Sequence, residues 1–409
     1  MKIGVLGHTF IGWDGGIDFL RTICGSLAAA DHPVELHLLV PTRGPRLAVH
    51  RLNLRLRRIA KRLQGRPAVH LQEPDLDHLR GLISDAGAPL RLHEIDSGSA
   101  AIRRAFRQLQ LDVLLPSFNT LVLGDDVPWI GYLADMQHKH LPHLFSPLEC
   151  AQRDLTMGRM LREARTVIVN SRNVIADIHT YFPAASADIV ALPFSAAPLP
   201  AWFELNPDVA RSKYSVGSTY FIICNQFWQH KDHGTAFKAF AALARIHPEL
   251  GLVCTGSTSD YRDPHYFSNL QQLLSELGIE DRVAILGRIP KPDQLALMRG
   301  AVAVIQPTMF EGGPGGGAVF DAVALGVSCI VSDIPVNLEI DEPDVHFFKS
   351  CDSAALREVM SLIYGEFDTR VPPTADDLLA KGRARRKACG NVLIQAALKV
   401  IEPASARSE

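Results

Sequence analysis

The feature that most constrains the fold is a regular alternation of short apolar runs with longer amphipathic segments. Runs such as 2–7, 34–40 and 129–133 have the length of strands, and segments such as 17–30 and 148–163 repeat apolar residues every three or four positions. Strands that alternate with helices in this order are typical of repeated βαβ units, which build a parallel sheet. The sequence therefore predicts an α/β fold.

The alternation is interrupted once, between residues 193 and 208, where four prolines occur. A chain of 409 residues is long for a single hydrophobic core. We therefore predict two doubly wound domains, residues 1–198 and 199–384, joined by this linker, with a final helical segment, about 385–409, able to return to the first domain. In such folds ligands bind at the carboxyl ends of the parallel strands, so we expect a cleft between the two sheets.

Composition and charge exclude several classes of protein. Lysine plus arginine total 42 against 44 aspartates plus glutamates, so the chain has no overall attraction for nucleic acid. The seven cysteines are scattered without a Cys-x-x-Cys pair, which argues against a zinc or disulfide framework and favours a cytoplasmic protein. The sequence begins directly with a strand pattern and contains no apolar run of about 18 residues, so neither a signal peptide nor a spanning helix is expected.

One segment departs from this balance. Between Arg43 and Arg66 there are nine basic residues and no acidic one, and leucines recur among them at roughly helical spacing. A basic amphipathic helix can contact anionic lipid at the inner face of a membrane, or an acidic acceptor. The same pattern also describes a solvated surface helix that covers the sheet, and the sequence leaves both interpretations open.

The strongest chemical signal is a glycine-rich turn that follows the predicted strand 301–306 and opens a helix. Without side chains, backbone N–H groups can approach a phosphate closely at a helix N-terminus. Glu311 and Asp321 bracket the turn, and carboxylates there suit neutral hydroxyls of a sugar or ribose. A nucleotide-sugar has both groups, although a turn needed only for strand–helix packing is the alternative. The glycines are Gly312, Gly313, Gly315, Gly316 and Gly317.

This segment resembles the retaining glycosyltransferases of family 4, which have the GT-B fold. The phrase D-A-V-A-L-G, which begins at Asp321, matches their Glu-Ala-x-x-x-Gly, and S-D-I-P at 332–335 matches the sequence that usually follows. Here nine residues separate the two acids, where the family usually has seven, and the second acid is Asp rather than Glu. The resemblance implies that Glu311 contacts the hydroxyls of the donor sugar and that Asp321 contacts the ribose.

A second match follows the first strand of the second domain. The family has an arginine and a lysine there, five residues apart, that neutralise the donor diphosphate. Lys231 matches the lysine, whereas Gln226 occupies the arginine position and supplies no charge. His230 and His233 flank the lysine, but they lack a further cluster of ligands, so we do not predict a metal site.

The first domain contributes two weaker signals. Gly15 and Gly16 precede a predicted helix that begins near residue 17, where the family places a turn near the donor phosphates and the acceptor. Asp135 and His138 follow the predicted strand 129–133, at the end of the strand where cleft residues lie. The resemblance implies that His138 reaches the donor sugar, and Asp135 could orient it or bind the acceptor. Polar loop residues that face water are the alternative.

The resemblance implies that a sugar is transferred from a nucleotide-diphosphate sugar to a hydroxyl of a glycan or lipid-linked acceptor, as in polysaccharide biosynthesis. The anomeric configuration would be retained, and neither a metal nor another cofactor would be required. Two other functions remain open: an epimerase of GT-B-like fold that acts on nucleotide-sugars, and a sugar-binding or nucleotide-binding protein that has lost catalysis, which Gln226 favours. A nicotinamide dehydrogenase is disfavoured because the G-x-G-x-x-G fingerprint is absent.

Overall fold

The computed structural model describes residues 1–7, 10, 14–41, 90–96, 98–124 and 126–402. The predicted basic helix between Arg43 and Arg66 lies outside these residues, as does the end of the predicted terminal segment. Within the described ranges, the chain forms two parallel sheets with helices on both faces. None of the helices in these ranges is long and apolar enough to cross a membrane.

The first sheet has seven parallel strands in the order β3-β2-β1-β4-β5-β6-β7. Its strands are β1 Lys2–Leu6, β2 Glu35–Pro41, β3 Leu90–Ile95, β4 Val113–Ser117, β5 Trp129–Leu133, β6 Thr166–Val169 and β7 Asp188–Ala191. The described helices of this part are α1 Asp14–Ala29, α2 Ser99–Gln108, α3 Gln137–His140, α4 Pro147–Glu163 and α5 Arg172–Tyr181.

The second sheet has six parallel strands in the order β10-β9-β8-β11-β12-β13. Its strands are β8 Tyr220–Cys224, β9 Gly251–Thr255, β10 Val283–Gly287, β11 Val304–Gln306, β12 Cys329–Ser332 and β13 Val345–Phe348. Its helices are α6 Pro207–Tyr214, α7 His233–Ala244, α8 Tyr266–Leu277, α9 Lys291–Arg299, α10 Gly316–Ala324 and α11 Ser353–Glu366, and the chain continues into α12, Ala375–Ile401.

Most predicted elements are found with small shifts, and three differ. The first helix begins at Asp14, so the two glycines expected before it lie in its first turn. The segment predicted as a linker contains a 3-10 turn, Pro200–Glu204, and ends where α6 begins. Strand Val345–Phe348 was not predicted, because its sequence VHFF is short and ends the sheet without a long apolar run.

Helix α12 connects the two halves of the molecule. Its C-terminal part contributes Cys389, Leu393 and Val400 to the hydrophobic core of the first sheet, although the helix begins beside the second domain. Gly390 allows it to approach α1 closely, because a Cβ at this position would lie 2.7 Å from the carbonyl carbon of Ser26. Helix α12 thus completes the hydrophobic core that covers the first sheet.

Both sheets reverse their strand order beside their first strand, between β1 and β4 and between β8 and β11. Loops that leave neighbouring strands at such a point diverge to opposite faces, and a crevice opens between them. In the second domain, Lys231 lies in the loop that follows β8, and the glycine-rich turn lies in the loop that follows β11.

Candidate active site

The centre of the candidate site is an ion pair between two residues that the sequence singled out. Lys231 ends the short 3-10 turn Gln229–Lys231 after β8, and Glu311 follows β11, the neighbouring strand. Lys231 Nζ contacts Glu311 Oε1, and the two side chains are 13% and 12% exposed. The structure therefore brings these two predicted residues together at the crevice of the second sheet.

Two amide side chains hold this carboxylate in place. Gln306 Nε2 donates to Glu311 Oε1 at 2.8 Å, and Asn225 Nδ2 donates to Gln306 Oε1 at 2.7 Å. Asn225 and Gln306 are both buried, so the two hydrogen bonds form in a region of low dielectric where they are strengthened. Glu311 is oriented before any ligand arrives, which is the arrangement that electrostatic catalysis requires.

The glycine loop, residues 311–317, folds around the Glu311 carboxylate. Gly315 and Gly316 have φ angles of +68° and +63°, which L side chains rarely adopt, and α10 begins at Gly316. A Cβ at Gly316 would lie 3.2 Å from the Glu311 carboxyl carbon, whereas a Cβ at Gly317 would meet no atom within 4 Å. The first turn of α10 is therefore open at Gly317, which is exposed, and leaves room for an anion to approach there.

The other two glycines of the loop contact the first domain. A Cβ at Gly312 would clash with the carbonyl oxygen of Ala134 and lie 2.7 Å from Asp135 Cβ. A Cβ at Gly313 would lie 3.0 Å from Asn170 Cβ. Gly312 and Gly313 thus permit a close approach between the domains, a role that a glycine-rich sequence alone does not distinguish from phosphate binding.

Asp135 and His138 belong to a polar network on the first-domain side of this contact. Asp135 Oδ1 accepts a hydrogen bond from Arg153 at 2.6 Å and another from the N–H of Gln137 at 3.0 Å. Arg153 also donates to His138 Nδ1 at 3.2 Å, and His138 Nε2 lies 2.8 Å from Asp154 Oδ1. Arg153 therefore links the two predicted residues.

This network determines the state of His138. Because Arg153 donates to Nδ1, that nitrogen is an acceptor, and Nε2 carries the proton that Asp154 accepts. Burial lowers the pKa of His138, partly opposed by the hydrogen bond to Asp154. The side chain has no exposed surface and both ring nitrogens are engaged, so direct contact of His138 with a donor sugar stays a prediction.

Asp321, which follows the glycine loop in the sequence, forms a second ion pair. It lies in α10, is 6% exposed, and contacts Lys291 Nζ. The same ammonium lies 3.5 Å from Asp18 Oδ2 on α1, so the pair is bridged to the first domain. Burial raises the pKa of Asp321 and the Asp18 charge adds to this, whereas Lys291 acts in the opposite direction.

Three predicted residues remain: Gln226, which precedes Lys231, and Gly15 and Gly16, which lie at the start of α1. Gln226 is half-buried in the loop that leads to Lys231, and its carbonyl oxygen accepts a hydrogen bond from Trp228 at 2.8 Å. Gly15 is exposed and Gly16 is buried, both in the first turn of α1. Contact of these three residues with a donor or acceptor stays a prediction.

Sequence reasoning missed Arg262, which joins the two domains. Its guanidinium pairs with buried Asp260 at 3.0 Å, lies over the Trp228 ring at 5.0 Å, and donates to Gln137 Oε1 of the first domain at 3.5 Å. Lys291 was missed as well. Neither residue belongs to a recognisable motif, but each is a cation that follows a strand of the second sheet, which is a usable signal in an α/β fold.

The histidines that flank Lys231 are core residues. His233 is fully buried and stacks on Phe227 with ring centroids 4.2 Å apart, and burial lowers its pKa to about 3. Burial likewise lowers the pKa of His230 to about 2, with further lowering by Lys231 and Arg262. In the described ranges, no group of three or more His, Cys, Asp or Glu residues could hold a metal ion.

Comparisons with known proteins identify the second domain. Residues 209–370 match the family model described as Glycosyl transferases group 1. This match spans the Lys231–Glu311 pair, the glycine loop and Asp321. No curated protein sequence matches the chain.

Solved structures resemble the chain over nearly its whole length. HepE from Anabaena, solved in complex with UDP and glucose, has a TM-score of 0.60 at 16% identity and covers 98% of this chain and 99% of its own. Sucrose-phosphate synthase from Thermosynechococcus elongatus has a TM-score of 0.60 at 16% identity and covers 98% and 97%. WaaG, a glycosyltransferase involved in lipopolysaccharide biosynthesis, has a TM-score of 0.56 at 13% identity and covers 98% and 99%.

These likenesses confirm the predicted GT-B fold, in which two Rossmann-like domains face each other across a cleft. Together with the family match in the second domain, they define the chain as a glycosyltransferase.

Proposed function

We propose that this chain is a retaining glycosyltransferase of family 4, which transfers a sugar from a nucleotide-diphosphate sugar to a hydroxyl of a glycan or lipid-linked acceptor. The observation that carries the proposal is the Lys231–Glu311 pair beside the open first turn of α10. A cation and helix N–H groups suit a diphosphate, and an oriented carboxylate suits the hydroxyls of the sugar attached to it.

The residues account for the charge that develops during transfer. The bond from the anomeric carbon to the diphosphate oxygen breaks, so negative charge grows on the leaving group. Lys231 and the N–H groups at the start of α10 stabilise this charge. The acceptor oxygen bonds to the same face of the anomeric carbon, and its proton passes to the leaving phosphate oxygen. Glu311 accepts hydrogen bonds from the sugar and favours positive charge on the ring.

We propose that this reaction requires no metal, because Lys231 and the helix N–H groups already oppose the diphosphate charge. We propose a uridine nucleotide as the first donor to test, since the HepE structures hold UDP or UDP-glucose. A role in polysaccharide biosynthesis in the cytoplasm, with contact at the inner membrane face through the segment from Arg43 to Arg66, belongs to the same proposal.

The test has two stages. A thermal-shift screen with UDP, GDP, dTDP and ADP, each with EDTA or magnesium, identifies the nucleotide, because a ligand of the folded state raises the melting temperature. The sugars of that nucleotide are then supplied with glycan and lipid-linked acceptors, and product is measured. We expect transfer in EDTA at the rate seen with magnesium. A nucleotide that binds without any turnover would instead favour a protein that has lost catalysis.

The stereochemical outcome is read from the anomeric proton of the product by NMR. Retention of the donor configuration is expected, and inversion would contradict the proposed mechanism. Release of an epimerised sugar without any acceptor product would favour the epimerase, which needs acid–base chemistry at C2 of the sugar. Glu311→Gln serves as the matched variant in each assay, because it keeps the shape of the side chain and removes its charge.

A further inference from the structure

A one-turn 3-10 helix after β12, Asn337–Glu339, contacts both the glycine loop and the first domain. We call it the coupling turn. Its first and last residues have partners on different parts of the molecule, and each partner lies at the start of a helix. The turn is therefore placed to transmit a change in one contact to the other.

Asn337 fixes the start of α10. Its side chain is fully buried, and Nδ2 donates to the carbonyl oxygen of Ser332 at 2.9 Å. This hydrogen bond sets the orientation of the amide, so Oδ1 faces Gly315 and accepts its N–H at 2.8 Å. Gly315 is the residue before α10 and has a positive φ. Asn337 thus holds the backbone at the point where the open first turn begins.

Glu339 caps a helix of the opposite domain. Its two carboxylate oxygens accept the N–H groups of Arg172 at 2.9 Å and of Asn173 at 2.7 Å, the first two residues of α5. The side chain is 16% exposed. A carboxylate at a helix N-terminus gains from charge-assisted hydrogen bonds and from the helix dipole. This contact therefore joins the domains through two charge-assisted hydrogen bonds.

A further contact links the same helix to the glycine loop. Ser171 precedes α5, and its Oγ accepts the N–H of Val174 at 3.2 Å while it donates to the carbonyl oxygen of Gly312 at 3.3 Å. The start of α5 therefore contacts both Glu339 and the glycine loop, and both contacts are lost together when the domains separate.

We propose that the coupling turn ties domain closure to the conformation of the glycine loop, and that Glu339 is a positioning residue for sugar transfer. Separation of the domains releases Glu339 to water and leaves the turn held by contacts within the second domain, such as that of Asn337 with Ser332. The turn is then less rigid, so Asn337 fixes the conformation of Gly315 less tightly. Closure restores both contacts. The catalytic half of this inference rests on the proposed function, whereas the structural coupling does not.

Hydrogen exchange of the unliganded protein tests the coupling directly. Glu339→Ala removes the acceptor of two α5 amides, so exchange in the peptide that spans residues 170–176 should accelerate at least about tenfold. The coupling further requires faster exchange in the peptide that spans 312–318, which Glu339 does not touch. Unchanged exchange there, with faster exchange at α5, would overturn the inference.

The matched control is Arg172→Ala. The Arg172 side chain is largely exposed and lies 3.5 Å from Glu339, but the contact that matters is its backbone N–H, which the substitution keeps. Both peptides should therefore exchange as in the wild type. Acceleration equal to that of Glu339→Ala would assign the effect to a side-chain ion pair and overturn the capping argument.

Steady-state kinetics test the positioning role. Glu339→Ala should lower kcat by about ten- to a hundredfold with a smaller change in nucleotide affinity, because closure aligns the reacting groups after binding. Glu339→Gln, which keeps one acceptor oxygen, should recover part of the rate. A wild-type kcat in Glu339→Ala would overturn this role.

Asp344→Ala is the matched control for the loss of a carboxylate, since Asp344 pairs with Arg370 at 3.0 Å within the second domain, and it should retain the wild-type rate. If the wild-type chain forms no product with any donor, the proposed function fails, and the exchange measurement still decides the coupling.

Discussion

Two lysine–carboxylate pairs flank the glycine loop, and they are held in different ways. Lys231 and Glu311 are oriented by the neutral amide of Gln306, and all three belong to the second domain. Lys291 and Asp321 are instead joined to Asp18, a charged residue of the first domain. Both pairs are assembled within the second domain, but the second pair is also bridged to the first domain through Asp18.

The pKa directions of the second pair reflect this bridge to the first domain. Burial lowers the pKa of Lys291, but the Asp321 and Asp18 carboxylates outweigh burial and leave it raised. Asp18 also raises the pKa of Asp321, in addition to burial. When the domains open and Asp18 moves away, the pKa of Lys291 and the pKa of Asp321 are each raised less than in the closed form. Of the two pairs, the Lys291 pair is therefore the one whose electrostatics change when the domains move apart.

Replacing Lys231 gives the largest expected effect. Lys231→Ala should lower the turnover number by about a thousandfold, because the leaving diphosphate loses a positioned cation. The loss of stability should be smaller than that caused by Lys291→Ala, since Glu311 keeps the hydrogen bond from Gln306. Initial rates and urea unfolding of the same preparations measure the two effects. Wild-type turnover in Lys231→Ala would show that Lys231 does not stabilise the leaving diphosphate.

Replacing Lys291 should act mainly on stability. Lys291→Ala leaves the Asp321 carboxylate buried without its partner, which should lower the free energy of unfolding by about 3 kcal/mol. The double variant Lys291→Met/Asp321→Asn should recover most of this loss, as measured by urea unfolding.

The control for this pair is Lys213→Ala, which breaks an exposed ion pair with Asp293 and should cost less than about 1 kcal/mol. Equal losses in Lys213→Ala and Lys291→Ala would mean that the second pair is no more than a surface contact.

A methyl group at Gly312 should disturb the contact between the domains. Gly312→Ala places a Cβ against Ala134 and Asp135, so closure is obstructed and kcat should fall by about tenfold. Gly365→Ala, in α11 with no atom within 4 Å of the added carbon, should leave kcat unchanged and slightly favour the helix. A Gly312→Ala enzyme with wild-type kcat would show that close approach at this loop is not needed for transfer.

The smallest expected effect is a dependence of stability on pH that is due to His233, the buried histidine two positions after Lys231. Burial lowers the folded-state pKa of His233 from the ordinary histidine value of 6.5 to about 3, so between these pH values the unfolded chain binds a proton that the folded chain does not. Stability contributed by the neutral ring is fully present above pH 6.5 and is lost as the pH falls toward 3. Between pH 7.5 and 5.5, this histidine should account for roughly 1 kcal/mol of lost stability.

The variant His233→Leu isolates this contribution. Both ring nitrogens of His233 are buried without a hydrogen-bond partner, so an apolar replacement should cost little at pH 7.5. Its unfolding free energy should depend less on pH than that of the wild type, as followed by urea unfolding at the two pH values. An identical pH dependence in the variant would assign the effect to other groups.

The sequence predicts most of the strands and singles out both members of the first ion pair, because they have local signatures. The buried strands are continuous apolar runs, and Lys231 and Glu311 belong to recognisable segments. Glu339 and Lys291 could not be predicted in the same way. Glu339 contacts an amide 166 residues away, and Lys291 contacts a carboxylate 273 residues away on another domain. Contacts of this kind depend on how two separately folded sheets dock, which no spacing in the sequence records.

His138 illustrates the opposite case. Its place after β5 predicts a residue at the cleft, and the loop indeed reaches it, since neighbouring Asp135 meets Gly312. The orientation of the ring is decided by Arg153 and Asp154, which lie on the following helix, α4. A strand end locates a loop, but the partners on the next helix decide which of its side chains face a ligand.

The last helix has a consequence for the order in which the molecule is built. The core of the first sheet includes Cys389, Leu393 and Val400, which are synthesised long after the second sheet is complete. The second domain can therefore finish folding on the ribosome before the first domain does, although it comes later in the chain. Until α12 emerges, the side of α1 that carries Ser26, against which Gly390 packs in the folded chain, has no cover.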